Sequence, residues 1–215
     1  MATAITEWIP KIATAAPLCP MQTLKEMIIE TCRDFCHQTQ LWNNNALTAI
    51  DIVDETADYD LASLSGDIVT VDAVQVNGKT ATYTTIEELD RLLPYWRDQE
   101  AVDPAWYVFG MADSIKLVYT PSADETAGLE VWVTLKPLES ATTVQDFLYR
   151  DYKDTIAMGA KGLLMQIDDM PWTDTAKGAA FFAAYENARD TAKIKRFTGR
   201  TGKPINALAQ APFFA

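Results

Sequence analysis

Residues 144–197 read VQDFLYRDYKDTIAMGAKGLLMQIDD, then MPW, then TDTAKGAAFFAAYENARDTAKIKRF. The first block predicts one long helix from Val144 to Asp169. Pro171, between Met170 and Trp172, breaks it, because proline lacks the amide donor and clashes with the preceding turn. A second helix is expected from about Asp174 to Phe197. Both are rich in small residues: Ala157, Gly159, Ala160 and Gly162 on the first, Ala179, Ala180, Ala183, Ala184 and Ala188 on the second. Small side chains let helix backbones approach closely, and so short a break implies an antiparallel pair.

Beyond this pair the pattern stops and the chain turns basic. Residues 189–215 carry six Lys/Arg and one acid, a net +5, whereas the remainder carries 12 basic and 29 acidic residues, a net −17. The plain reading of such a tail is a frayed, solubilising terminus. The functional reading is a docking arm. A basic helix end is followed by a Gly/Pro hinge, by Ile205 and Leu208, and by Phe213-Phe214, two aromatics that need a partner to bury them. The candidate docking residues are Arg189, Lys193, Lys195, Arg196, Arg200, Lys203, Ile205, Leu208, Phe213 and Phe214.

Upstream, Met21, Leu24, Ile28, Cys32 and Phe35 recur three or four apart, which predicts a helix over residues 21–40. Asn43-Asn44-Asn45 ends it as a loop. The period then changes to two. Ile50 and Ile52 alternate with Asp51 and Val53, Tyr59-Asp60-Leu61 reads as a short edge strand, and Ile68–Val76 reads as a strand whose alternation slips near Asp72-Ala73, the signature of a bulge. Asn77-Gly78 is the preferred type I′ hairpin turn, and Thr80–Thr84 is its partner strand. Thr85 is placed to cap a short helix with Glu87 and Glu88 in its first turn, Leu89, Leu92 and Leu93 on its apolar side and Pro94 closing it. A loop, Tyr95–Pro104, follows. Trp106–Phe109 and Ser114–Tyr119 predict a hairpin. In Leu129–Leu135 four apolar residues face one way and Glu130, Trp132 and Thr134 the other.

Residues 1–20 contain Pro10, Pro17 and Pro20 and read as an irregular arm pinned by Trp8, Ile9 and Ile12. That segment has no basic start, which argues against a signal peptide, and Ile12–Leu24 is too short to span a membrane. The expected fold class is α+β: a helical bundle of the first helix and the C-terminal helical hairpin, with a β-rich insertion and an extended C-terminal arm. The expected divisions are an arm at 1–20, a helical domain at 21–42 and 144–197, a β-rich insertion at 43–143 and a docking arm at 198–215.

Motifs for chemistry are sparse. Cys19, Cys32 and Cys36 are too few for a disulfide framework and fit a reducing compartment. Cys32 and Cys36 share a helix face with the one histidine, His37, nearby, but no second ligand pair completes a zinc site, and small buried core residues are the plain alternative. Asp168-Asp169 and Asp58-Tyr59-Asp60 read as solvated acids. Gly199-Arg200-Thr201-Gly202-Lys203 has the wrong spacing for a phosphate loop. No cofactor and no enzymatic activity are expected. Eighteen basic against 30 acidic residues disfavour tight nucleic-acid binding.

Several segments succeed one another in a familiar order: Leu24-Lys-Glu-Met-Ile-Ile-Glu-Thr-Cys-Arg-Asp-Phe-Cys, Val76-Asn-Gly-Lys, Glu88-Leu-Asp-Arg-Leu-Leu-Pro-Tyr-Trp, Ile115-Lys-Leu-Val-Tyr-Thr-Pro, Val131-Trp-Val-Thr-Leu-Lys-Pro, Phe147-Leu-Tyr-Arg-Asp-Tyr-Lys-Asp-Thr-Ile-Ala-Met-Gly-Ala and Met170-Pro-Trp. Over roughly residues 8–200 the chain resembles the head-to-tail adaptor, or connector, proteins of tailed bacteriophages. The resemblance implies a virion structural protein of the neck, present in the host cytoplasm during assembly. It would form a ring under the portal, usually of twelve copies, with the portal and a tail or further neck protein as partners. Genomic DNA would pass through the lumen during packaging and ejection without sequence-specific binding, and no membrane is involved. It further implies that the C-terminal arm reaches the portal. Two rivals stand beside it. One is another ring-forming neck or tail protein, such as a tail terminator. The other is a small metal-dependent or cysteine hydrolase built on His37 with Cys32 or Cys36.

Overall fold

The computed structural model describes residues 2–61, 66–93, 95–110 and 113–198. In chain order these form β1 (Ala2–Ala4), a 3-10 turn (Ile5–Trp8), α1 (Ile9–Ala13), α2 (Met21–Thr39), β2 (Asn43–Ile52), β3 (Asp58–Asp60), β4 (Asp67–Val76), β5 (Lys79–Tyr83) and α3 (Ile86–Leu92). A second 3-10 turn (Trp96–Asp98) leads to β6 (Glu100–Ala101), β7 (Trp106–Phe109), β8 (Ser114–Val118), β9 (Thr120–Pro121), β10 (Glu125–Lys136), β11 (Thr143–Gln145), α4 (Asp146–Met165) and α5 (Thr175–Thr198). The fold is α+β. The chain divides into two compact units: Met1–Leu41 with Thr142–Ala215, and Trp42–Ala141.

In the helical unit, α2 buries Leu24, Ile28, Cys32 and Phe35, the stripe its spacing predicts. Met21, at the head of that stripe, is instead 54% exposed. Phe35 meets Tyr152 of α4 with ring centroids 4.8 Å apart. Gly159 is where three helices converge. A Cβ there would lie 2.5 Å from Thr31 Cγ2 of α2 and 2.9 Å from the Tyr185 ring of α5, so only glycine permits this spacing.

Three sequence expectations change in this unit. First, α4 begins at Asp146 and ends at Met165, not at Val144 and Asp169. Thr143 and Val144 belong to β11, which pairs antiparallel with β1, and β-branched residues favour that extended state. At the far end Asp169 takes a left-handed φ of 57°, which no helix continues through. Second, residues 2–13 are ordered structure and not an irregular arm. Trp8 and Ile12 are fully buried, Trp8 Nε1 donates to the Lys153 carbonyl at 3.1 Å, and Trp8 packs edge-on against Tyr149 at 4.8 Å. Pro10 sits in the first turn of α1, where its missing amide costs nothing. Third, Ala179, Ala180, Ala183 and Ala184 are exposed. The face of α5 turned inward carries the buried Gly178, Tyr185 and Ala192 instead.

The β-rich unit is built on a seven-stranded sheet in the order β2-β10-β4-β5-β7-β8-β3. On β10, Leu129, Val131, Val133 and Leu135 are at most 2% exposed. Register between β10 and β4 slips after the Trp132–Ala73 pair, leaving Asp72 as the extra residue, so the bulge lies where the alternation fails. It aims the Asp72 carboxylate at the buried Thr134 hydroxyl, which donates to Oδ2 at 2.7 Å. Asn77 and Gly78 have φ of 49° and 74°, the positive values a type I′ turn requires. Thr85 caps α3, its hydroxyl accepting from the Glu88 amide at 3.3 Å. Tyr59 lies on the short edge strand β3. The loop expected at Tyr95–Pro104 contains the 3-10 turn and β6. The pairing of β5 with β7 has no local signal: they run parallel, joining Thr82 to Trp106 and Tyr83 to Tyr107.

Candidate docking surfaces

His37 is exposed near the end of α2, whereas Cys32 and Cys36 are fully buried. Burial pushes both thiols up, and for Cys36 the neighbouring Cys32 adds to it. They are core residues with little thiolate character. Among the described residues no group of three or more His, Cys, Asp or Glu is arranged to hold a metal ion. Among the same residues no helix is long and apolar enough to cross a membrane. Asp168 and Asp169 are exposed, and Asp58 pairs with Lys116 at 2.9 Å. The glycine-flanked segment 199–203 lies outside the described residues.

Of the candidate docking residues, Arg200, Lys203, Ile205, Leu208, Phe213 and Phe214 also lie outside them. The other four fall on α5 and divide sharply. Lys193 and Lys195 are exposed, with Ile194 between them 62% exposed. Arg196 is half-buried. Arg189 is different: only 16% of its side chain is exposed. Its Nη1 donates to Asp34 Oδ2 at 2.9 Å, and the same oxygen accepts from the Tyr185 hydroxyl at 2.6 Å. The guanidinium also stands 5.5 Å from the Tyr185 ring centroid. Burial works against the Arg189 charge, but the Asp34 hydrogen bond and charge outweigh it and hold the guanidinium above its ordinary range. Burial, then the Asp34 hydrogen bond, push the Tyr185 phenol up. Arg189 is thus committed to α2, and the exposed basic residues near the end of α5 are Lys193 and Lys195.

Charge divides by unit more cleanly than by tail. Residues 42–141 hold 18 acidic and five basic residues, a net −13, whereas the helical unit holds 12 and 13, a net +1. The acidic body is therefore the β-rich unit.

That unit also carries an apolar groove of about 440 Å³ between α3 and the parallel β5–β7 pair. Its walls include Tyr83, Leu92, Leu93 and Trp106. Leu92 is 60% exposed, Tyr83 56% and Trp106 36%. Among the described residues, Glu88 is the one charged residue on its wall. Sequence reading missed this surface. Its local signal was Leu92-Leu93, since a short helix on a sheet turns only one of two consecutive leucines fully inward. Its opposite wall depends on the β5–β7 pairing.

The segments on which the adaptor resemblance rests fall on α2, the Asn77-Gly78 turn, the end of α3, β8 and β9, β10, α4 and the turn at Met170-Pro171-Trp172. The family model described as SU10 adaptor protein matches residues 2–206. The chain belongs to that family. SU10 adaptors are phage head-to-tail adaptors, and this member is accordingly a phage structural protein. A search of curated proteins finds no match.

Proposed function

We propose that this SU10 adaptor forms a ring beneath the portal, extends the DNA channel and links capsid to tail in the virion neck. The match over residues 2–206 carries this reading. The ring has twelve subunits, matching portal symmetry, and neighbours meet head-to-tail, each presenting a different face. Helices α2, α4 and α5 are the bundle that carries the docking arm. Lys193 and Lys195 begin that arm, and residues 198–215 anchor it to an acidic surface of the portal.

The charge division supports the channel role. DNA is held mainly by Lys and Arg contacts to phosphate, so a surface of 18 acids and five bases repels it. Acids of residues 42–141 lining the lumen would let the genome slide through during packaging and ejection without sticking.

The test mixes the full chain, and a chain lacking residues 198–215, with purified portal rings. Electron microscopy of the full-chain mixture is expected to show an added ring with portal symmetry. The truncated chain is expected to keep its helical circular dichroism yet stay free of the portal. A full chain that never joins the portal refutes the adaptor assignment. A truncated chain that joins as well as the full one refutes only the anchoring role of the tail.

A further inference from the structure

We infer that the groove between α3 and the β5–β7 pair receives the segment 199–215 of a second copy of this chain. The groove lies within the range of roughly 300–1,000 Å³ typical of ligand sites, and it is apolar and open. Its exposed members, Tyr83, Leu92 and Trp106, are a poor surface to leave in water. Tyr83 and Trp106 already pack edge-on against Tyr107 and Tyr119, and their exposed parts leave room for a further aromatic, a contact that gains beyond area burial.

Charge selects the occupant. Glu88 on the wall keeps 51% of its side chain exposed, with Arg91 reaching it only at 3.9 Å, and the unit around it is net −13. A complementary ligand is a basic peptide with bulky apolar anchors. Residues 199–215 have that composition: Arg200 and Lys203, no acid, and Ile205, Leu208, Phe213 and Phe214. They follow Lys193, Lys195 and Arg196 in the last turns of α5. Seventeen residues span up to about 60 Å when extended, enough to cross from one copy to another. Such a contact joins two unlike faces, so it repeats from copy to copy. It does not depend on the adaptor assignment. Within that assignment, groove and portal compete for one segment, and the groove covers Phe213 and Phe214 until the portal is met.

The experiment uses the full chain with Phe214→p-benzoylphenylalanine as a photo-crosslinker. Isotope-labelled and unlabelled copies are mixed, irradiated, digested and analysed by mass spectrometry. Labelled-to-unlabelled crosslinks from the 199–215 segment to residues 82–93 or to Trp106 are expected. Leu92→Glu, at an exposed site, is expected to cut their yield by at least about tenfold, as loss of a central apolar anchor does. The variant's unchanged circular dichroism would show that it still folds. Crosslinks confined to other surfaces, crosslinks only within one copy, or a yield unmoved by Leu92→Glu would each overturn the inference. The portal-joining assay is read separately, so either idea can fail alone.

Discussion

Asp34 on α2 and Arg189 on α5, 155 residues apart in sequence, are joined by a 2.9 Å hydrogen-bonded ion pair, with the Tyr185 hydroxyl on the same carboxylate oxygen. Asp34→Ala would take the shared acceptor from a largely buried guanidinium and leave the phenol only the Thr31 carbonyl at 3.4 Å. A fully buried pair broken on one side costs about 3–5 kcal/mol, but Asp34 keeps 38% of its side chain exposed, so about 1–2 kcal/mol is expected. Arg189→Met retains the packing and should cost less. Urea unfolding of both single variants and the double variant measures the coupling, and simple additivity would sink the claim that the pair acts as a unit.

Gly159→Ala sets two effects against each other. Alanine is the better helix former by about 1 kcal/mol. Its methyl would lie 2.5 Å from Thr31 Cγ2 and 2.9 Å from the Tyr185 ring, and overpacking of this kind costs about 1–3 kcal/mol. The clash should win, giving a lower Tm. A raised Tm would mean that α4 can move away from α2 and α5 at little cost.

Trp8→Ala removes a fully buried ring and the hydrogen bond to Lys153. An irregular arm would lose almost nothing. Ordered packing predicts a loss of about 3–5 kcal/mol, visible as a shifted denaturation midpoint at unchanged slope.

Asp90 predicts a pH dependence. Hydrogen bonds from Arg97, first, and then Trp96 hold its carboxyl below its ordinary value of 3.8. The folded state therefore binds this proton less readily than the unfolded one. The contribution is present above pH 3.8 and is lost as pH falls through that value towards the lowered folded one. Wild type should melt above Asp90→Asn at neutral pH, and the two Tm curves should converge in acid. Parallel curves down to the lowest pH would contradict the assignment.

Much of the fold was legible in short stretches. The Asn77-Gly78 turn, the Thr85 cap, the Leu129–Leu135 alternation and the Asp72 bulge are each read from neighbours within a few residues. Of the candidate site, the cations Lys193 and Lys195 were legible from charge, but the committed role of Arg189 was not.

The sequence by itself determined the α+β class, the helix pair around Pro171 and the placement of acids and bases along the chain. These follow from periodicity, capping and composition, which are local. Only the tertiary structure decided that β1 pairs with β11, that β5 lies parallel to β7, that the alanine face of α5 is exposed and that Arg189 belongs to Asp34. Each of these depends on which distant surfaces meet, and packing of the whole unit selects among partners that local propensity leaves equivalent. The groove beside Leu92 belongs to the same class, because one of its walls exists only once β5 and β7 have paired.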